Sequence, residues 1–230
     1  MKNSRISPAI SKHIIGESAN PNIQLHGKEI TDLKNPKIRF ITSRCSEKNV
    51  LDLGCVQHSP EAYLNKNWLH KAIVSVAQST VGLDLYEKGV VKLNEEGYSV
   101  VHADAQNFDL FKKFDVVVAG DLIEHLGNFD GFFNSISKHL EVGGKLLIAT
   151  PNPWHWKRSL RALLGMDIPI NPEHTCWMCP ETLRLIAKRH GFLIHTVVYG
   201  SDRMSDAIWP CSRQWKHQSF YAELVKQPNI

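Results

Sequence analysis

The stretch Val50-Leu51-Asp52-Leu53-Gly54-Cys55 decides the fold class. A short apolar run ends in an acid and a glycine, the pattern of a buried strand entering a tight turn. Glycine has no side chain, so such a turn lets the backbone come close to a ligand. At the carboxyl end of a parallel strand, the turn lies where open α/β sheets bind cofactors.

Outward from this stretch, strand-like and helix-like segments alternate. Strands are expected at 49–53, 80–85, 98–103, 114–119 and 144–150, with helices near 61–77, 86–96 and 129–140. Gly97 and Gly143 stand where helix C-caps belong. This βαβαβ rhythm predicts a doubly wound α/β fold, a mostly parallel sheet with helices on both faces. The runs Val50-Leu51, Val116-Val117-Val118 and Leu146-Leu147-Ile148 are uniformly apolar, as doubly covered strands require.

Beyond 150 the chain becomes rich in Pro, Trp and His. Pro180 then opens a helix that Gly191 closes after Lys188, Arg189 and His190. The last apolar runs, 192–199 and 218–225, predict an antiparallel pair at the sheet edge. Residues 1–22 read as an irregular lead-in and 23–46 as a mixed segment with room for a helix. The expected organisation is a lead-in and helical cap over 1–45, a cofactor-binding core over 46–153, and a substrate-side element over 154–230 completing the same domain.

Composition is that of an ordinary globular chain: 230 residues, 43% hydrophobic and 22% charged. A net charge of +4 does not by itself call for nucleic acid, and no block of like charges forms a binding tail. No secretory signal and no membrane-spanning run is visible, so a cytoplasmic location is expected. Five scattered cysteines suggest no disulfide framework. Cys176-Trp177-Met178-Cys179 has redox or zinc spacing but lacks a second pair, and packing roles are expected.

The expected strand ends carry polar groups in a definite order. The second ends Val81-Gly82-Leu83-Asp84-Leu85, placing a carboxylate where both ribose hydroxyls of an adenosine cofactor could be bound. The third ends His102-Ala103-Asp104-Ala105, beside the place of an adenine amino group. The fourth is followed by Gly120-Asp121-Leu122-Ile123-Glu124-His125, and the fifth ends in Thr150-Pro151-Asn152-Pro153. Each acid alone could equally be a cap or turn residue. Their order and placement together point to a site.

This ordered set resembles class I S-adenosylmethionine-dependent methyltransferases over about residues 46–153, with a weaker echo in 171–192. The resemblance implies a Rossmann-like domain with S-adenosylmethionine as cofactor. It places Asp52, Gly54 and Cys55 at the methionine portion, Asp84 and Leu85 at ribose, and Asp104 with Ala105 at adenine. Gly120, Asp121 and Leu122 fall on the sulfonium side. The chain departs from the family's Gly-x-Gly-x-Gly loop: in Gly54-Cys55-Val56-Gln57-His58 only the first glycine is present. The spacing from Asp52 to Asp84 also exceeds the roughly 20 residues of a compact nucleotide unit. Ser59–Leu69 is therefore expected to be an inserted loop. An NAD enzyme would rest its pyrophosphate where Val56 and His58 stand, whereas a phosphate-free cofactor tolerates them.

Methyl transfer to a hydroxyl needs a base. His125 beside Glu124 is the first candidate, and His174, in Asn171-Pro172-Glu173-His174, is the second. Asp121, Glu124 and His125 share one face if their turn is helical, and with His174 they would form an oxygen/nitrogen site for a divalent metal. That arrangement resembles ubiquinone-pathway O-methyltransferases and small-RNA 2′-O-methyltransferases. A structural role for the Glu-His pair is the default reading.

Trp156, Leu160, Leu163 and Leu164 fall on one stripe of a helix whose Lys157, Arg158 and Arg161 lie off it. Packing into the core, closing over an acceptor pocket, contact with a membrane surface, and basic residues meeting phosphate in a sugar nucleotide or RNA end are the readings of this helix. Trp209, Trp215, Phe220 and Tyr221 are expected in the core or an edge strand. The expected function is O-methylation of a small-molecule, glycan or lipid-linked acceptor. The alternatives are a metal-assisted RNA 2′-O-methyltransferase and a catalytically silent cofactor-binding protein. Nucleic acid is disfavoured by the modest charge.

Overall fold

A computed structural model describes residues 35–228 except 58, 60, 202–205 and 207–210. The expected lead-in, His58 and Trp209 lie outside the described residues.

Seven strands form one sheet: β1 (Asn49–Leu53), β2 (Ser79–Asp84), β3 (Val100–His102), β4 (Phe114–Gly120), β5 (Leu140–Pro151), β6 (Phe192–Gly200) and β7 (Ser219–Lys226). Their order is β3-β2-β1-β4-β5-β7-β6. The first five are parallel, and β7 pairs antiparallel with both β5 and β6. The expected antiparallel pair is present, with β7 inside the sheet and β6 at its edge. Strand order reverses between β1 and β4, the position where open α/β sheets form a ligand crevice.

The helices are α1 (Pro36–Cys45), α2 (Leu69–Val74), α3 (Glu87–Glu95), α4 (Phe129–His139), α5 (Trp156–Leu163), α6 (Pro180–Arg189) and α7 (Arg213–Lys216). α1 starts where Pro36 occupies the first turn and Asn35 Oδ1 accepts from the backbone N–H groups of Lys37 and Ile38. Its Ile38, Ile41 and Cys45 pack with Ala72 and Ile73 of α2 on the face bearing Val50, Val116 and Val118. On the other face, Leu51, Leu53, Val117 and Ile148 meet Phe132, Phe133 and Phe192. Apolar residues thus alternate between two covered faces, which explains the uniformly apolar runs.

Three expectations need correction. The helix near 61–77 reduces to a 3₁₀ turn at Ala62–Leu64 and the short α2. Between them Trp68 buries its ring and donates from Nε1 to the Cys55 carbonyl at 2.8 Å, so the inserted loop packs on the β1 turn. Gly143 does not cap a helix: α4 ends at His139, and Gly143 lies inside β5 with φ +78°. A glycine with positive φ serves a strand irregularity as well as a cap. Finally, α5 does not pack into the core, since none of its residues is buried.

Candidate active site

A cavity of about 460 Å³ opens at the carboxyl ends of β1, β2, β3 and β4. Of the residues expected around a cofactor, Gly54, Asp84, Leu85, Asp104, Ala105, Gly120, Asp121 and Leu122 line it. Asp52 and Cys55 do not. Asp52 is buried with Oδ2 2.8 Å from His70 Nδ1, fastening the end of β1 to α2. Cys55 lies under β2, where a Cβ on Gly82 would come within 2.6 Å of its Sγ. Burial pushes its thiol pKa well above the usual range, so it packs as a neutral group.

The loop manages without its second and third glycines by turning Val56 away. Val56 is buried with Trp68 and Val90, against Gly89 of α3, where any Cβ would lie 2.2 Å from Val56 Cγ1. Gln57 adopts a positive φ of 63° and lines the cavity in its place. Gly54 is required as glycine: φ is +73° and an added Cβ would sit 3.2 Å from Leu122 Cδ1.

Asp84 accepts from Val56 N–H through Oδ2 at 2.8 Å and from Tyr86 N–H through Oδ1 at 2.9 Å. Burial raises its pKa, and these backbone bonds oppose the rise. Each oxygen retains acceptor capacity for a further hydroxyl. Asp104 Oδ1 accepts from the Gln106 backbone N–H at 2.8 Å, while Gln106 Oε1 accepts from the N–H groups of Gly127 and Asn128. Gln106 thus ties the β3 and β4 loops into one wall. Asp121, at φ 54°, forms an ion pair with Lys37 of α1. This pair stands between the main cavity and a smaller polar one of about 170 Å³.

The lining carries three carboxylates, Asp84, Asp104 and Asp121, and no lysine or arginine among the described residues. A pyrophosphate placed here would face like charge. A sulfonium cation with ribose and adenine finds acceptors and an opposite field. The acceptor set, with Asp121 paired to Lys37, therefore fits S-adenosylmethionine.

The three expected proton-handling residues meet at the cavity edge. Glu124 and His125 sit on a 3₁₀ turn, Ile123–His125, directly after β4. The distant His174 is delivered by Thr175, whose Oγ1 donates to the carbonyls of Glu124 at 3.0 Å and Leu126 at 2.7 Å. The His125 and His174 rings meet edge to face at 4.7 Å. His125 Nδ1 lies 3.1 Å from the Glu173 carbonyl. Glu124 is buried, accepts from Thr150 Oγ1 at 2.9 Å, and has its pKa raised to about 7 by burial and then by Asp121. Burial and the neighbouring His125 lower the pKa of His174, whose Nδ1 is buried with no hydrogen-bond partner among the described residues.

Potential ligand atoms of Glu124, His125 and His174 all lie within 4.8 Å of one another. Asp121 is outside this group and engaged with Lys37, so the four-residue metal set is reduced to three. Sequence reasoning did not find Lys37, Gln106 or Thr175 as parts of the site, and it quoted Gln57 and Thr150 without giving them a role.

A parallel sheet reversing between β1 and β4, an antiparallel β7 between β5 and β6, and a carboxylate-lined cavity at the switch point make a Rossmann-like domain. Comparison with known proteins agrees. The family described as a methyltransferase domain matches residues 27–197. The chain belongs to this family. It is 27% identical over 101 residues to (S)-tetrahydroprotoberberine N-methyltransferase of Eschscholzia californica, covering 44% of this chain and 29% of that protein. It is 27% identical over 126 residues to the ubiquinone biosynthesis O-methyltransferase of Pelagibacter ubique, covering 52% of this chain and 49% of that protein. The chain thus spans half or less of the length of these relatives. In fold it is similar to an S-adenosylmethionine-dependent methyltransferase from Clostridium acetobutylicum, with TM-score 0.59, 13% identity, and coverage of 87% of this chain and 94% of that one. No helix among the described residues is long and apolar enough to cross a membrane.

Proposed function

We propose that the protein methylates a hydroxyl oxygen of a small-molecule, glycan or lipid-linked acceptor, with His125, His174 and Glu124 handling the proton. When bound, S-adenosylmethionine supplies the methyl group as an electrophilic sulfonium carbon. Asp84 is suited to accept from both ribose hydroxyls, and Asp104 with Ala105 to bracket adenine. Lys37 and Asp121 carry the two opposite charges that a zwitterionic amino-acid head requires, and they pair with each other meanwhile. Leu122 and Gly120 form the wall beside them.

The observation that carries this reading is the convergence of Glu124, His125 and His174 at the edge of a cation-compatible cavity that His125 itself lines. In a neutral ring, donation from His125 Nδ1 to the Glu173 carbonyl leaves Nε2 as the basic nitrogen. The test is methyl-labelled S-adenosylmethionine offered with phenols, sugar hydroxyls and amines. Label in hydroxyl acceptors is expected, with His125→Ala lowering kcat about 100-fold while S-adenosylhomocysteine affinity stays unchanged. Label in amines alone contradicts the O-methyl assignment. Cofactor binding without any turnover favours the silent protein.

A second reading rests on the orphaned His174 Nδ1. One carboxylate and two imidazoles suit a first-row transition ion such as Mn²⁺ better than Mg²⁺, which prefers oxygen ligands. Such an ion would polarise the acceptor oxygen. Turnover unchanged in EDTA removes this reading, and activity lost to EDTA and restored by Mn²⁺ supports it.

A further inference from the structure

We propose that α5 and the segment following it form a surface that docks on an anionic lipid bilayer. The helix is amphipathic in the inverted sense. Its polar side faces the domain: Arg158 donates from Nη1 to the Asn152 carbonyl at 2.8 Å and lies 4.4 Å over the Trp177 ring. Its apolar side faces solvent, with Leu160, Leu163 and Leu164 exposed by 41%, 82% and 62%. The next turn extends the same character through Met166, Ile168 and Ile170, all exposed. Arg161 donates from Nε to the Asp167 carbonyl at 2.6 Å and so holds that extension against the end of the helix.

Burying large aliphatic groups is worth about 1.5–3 kcal/mol each, so a water-facing stripe of this size calls for a partner. A single helix face without a groove offers little shape for a folded protein to match, whereas lipid conforms to it. The flanking chemistry fits an anionic interface. Trp154 is half-exposed, Lys157 is exposed with Nζ 5.4 Å from the Trp156 ring, and Arg161 follows one turn later on the helix. Tryptophan and snorkelling Lys or Arg at the rim of an aliphatic face are the composition of interfacial helices.

The domain-facing side of α5 leads to the candidate active site. Arg158 covers Trp177, the Trp177 ring lies 6.1 Å from His174, and His174 meets His125 at 4.7 Å. A docked α5 therefore stands between the lipid surface and the proton-handling cluster, which lies on its domain side. Taken with the methyltransferase reading, on which this step rests, the acceptor is a hydroxyl compound drawn from a lipid phase.

The experiment is vesicle flotation of the full chain, using phosphatidylcholine alone and phosphatidylcholine with phosphatidylglycerol, at low and high salt. Wild type, Leu163→Glu/Leu164→Glu and Lys157→Glu are compared, with S-adenosylhomocysteine titrated into each. The expected result is flotation with the anionic vesicles at low salt. Binding should fall at least about tenfold in the double variant and weaken in Lys157→Glu and at high salt, with cofactor affinity unchanged throughout. No flotation by protein that binds S-adenosylhomocysteine overturns the proposal, as does flotation indifferent to the substitutions. A dimer in sedimentation equilibrium that the double variant dissolves assigns the face to a second copy instead. Loss of S-adenosylhomocysteine binding in wild type would sink the methyltransferase reading by itself, while flotation would still decide the surface.

Discussion

Replacing Glu124 by Gln should stabilise the protein at pH 8 far more than at pH 5. The side chain is 2% exposed and its pKa is raised to about 7 from an ordinary 4.5, chiefly by burial. Because the folded pKa lies above the unfolded one, the favourable contribution is fully present below pH 4.5 and is lost as pH rises through 7. A shift of that size is about 3 kcal/mol, of which about 1 is already lost at pH 5. Gln does not titrate, yet it preserves the volume and can still accept from Thr150 Oγ1. The difference in unfolding free energy between variant and wild type should therefore grow by about 2 kcal/mol between pH 5 and pH 8. Other titrating groups are common to both proteins and cancel. Urea unfolding at the two pH values measures it. An equal offset at both would refute the assigned burial of an ionisable Glu124.

Asp84→Ala should weaken S-adenosylhomocysteine by about 100-fold or more, since two hydrogen bonds to a charged group are lost together; calorimetry reads this directly, and unchanged affinity would remove Asp84 from the ribose. Lys37→Ala should weaken S-adenosylhomocysteine about tenfold but leave methylthioadenosine, which lacks the amino-acid head, unaffected in the same titration. Its pair with Asp121 is partly exposed, so unfolding free energy should change by less than about 1 kcal/mol. Gly54→Ala should cost about 1–2 kcal/mol of stability in urea, because a left-handed backbone and a 3.2 Å approach to Leu122 both oppose a Cβ.

The strands of the core were legible because doubly covered parallel strands are apolar on both faces, and Val116-Val117-Val118 can be little else. The acids at the strand ends were legible by order, yet Asp52 and Asp84 carry the same signal and end differently. Only tertiary structure supplies His70 to bind Asp52 and leaves Asp84 at the cavity. Gly143 misled because a glycine with positive φ marks a helix cap and a strand irregularity alike. Val56 is read correctly only once Gly89, far along the chain, is seen to make room for it. Lys37 and Thr175 escaped notice because they reach the site from remote segments: Lys37 pairs with Asp121 across the sequence, and Thr175 carries His174 to Glu124. α5 was legible as amphipathic, but its orientation was not. The stripe alone does not say whether protein or water lies against it.

The most direct test of the account is calorimetric titration of the purified chain with S-adenosylmethionine, S-adenosylhomocysteine and NAD. The carboxylate-lined cavity predicts saturable one-to-one binding of both sulfur ligands and none of NAD. Binding of NAD alone, or of no ligand by protein shown to be folded, would contradict it.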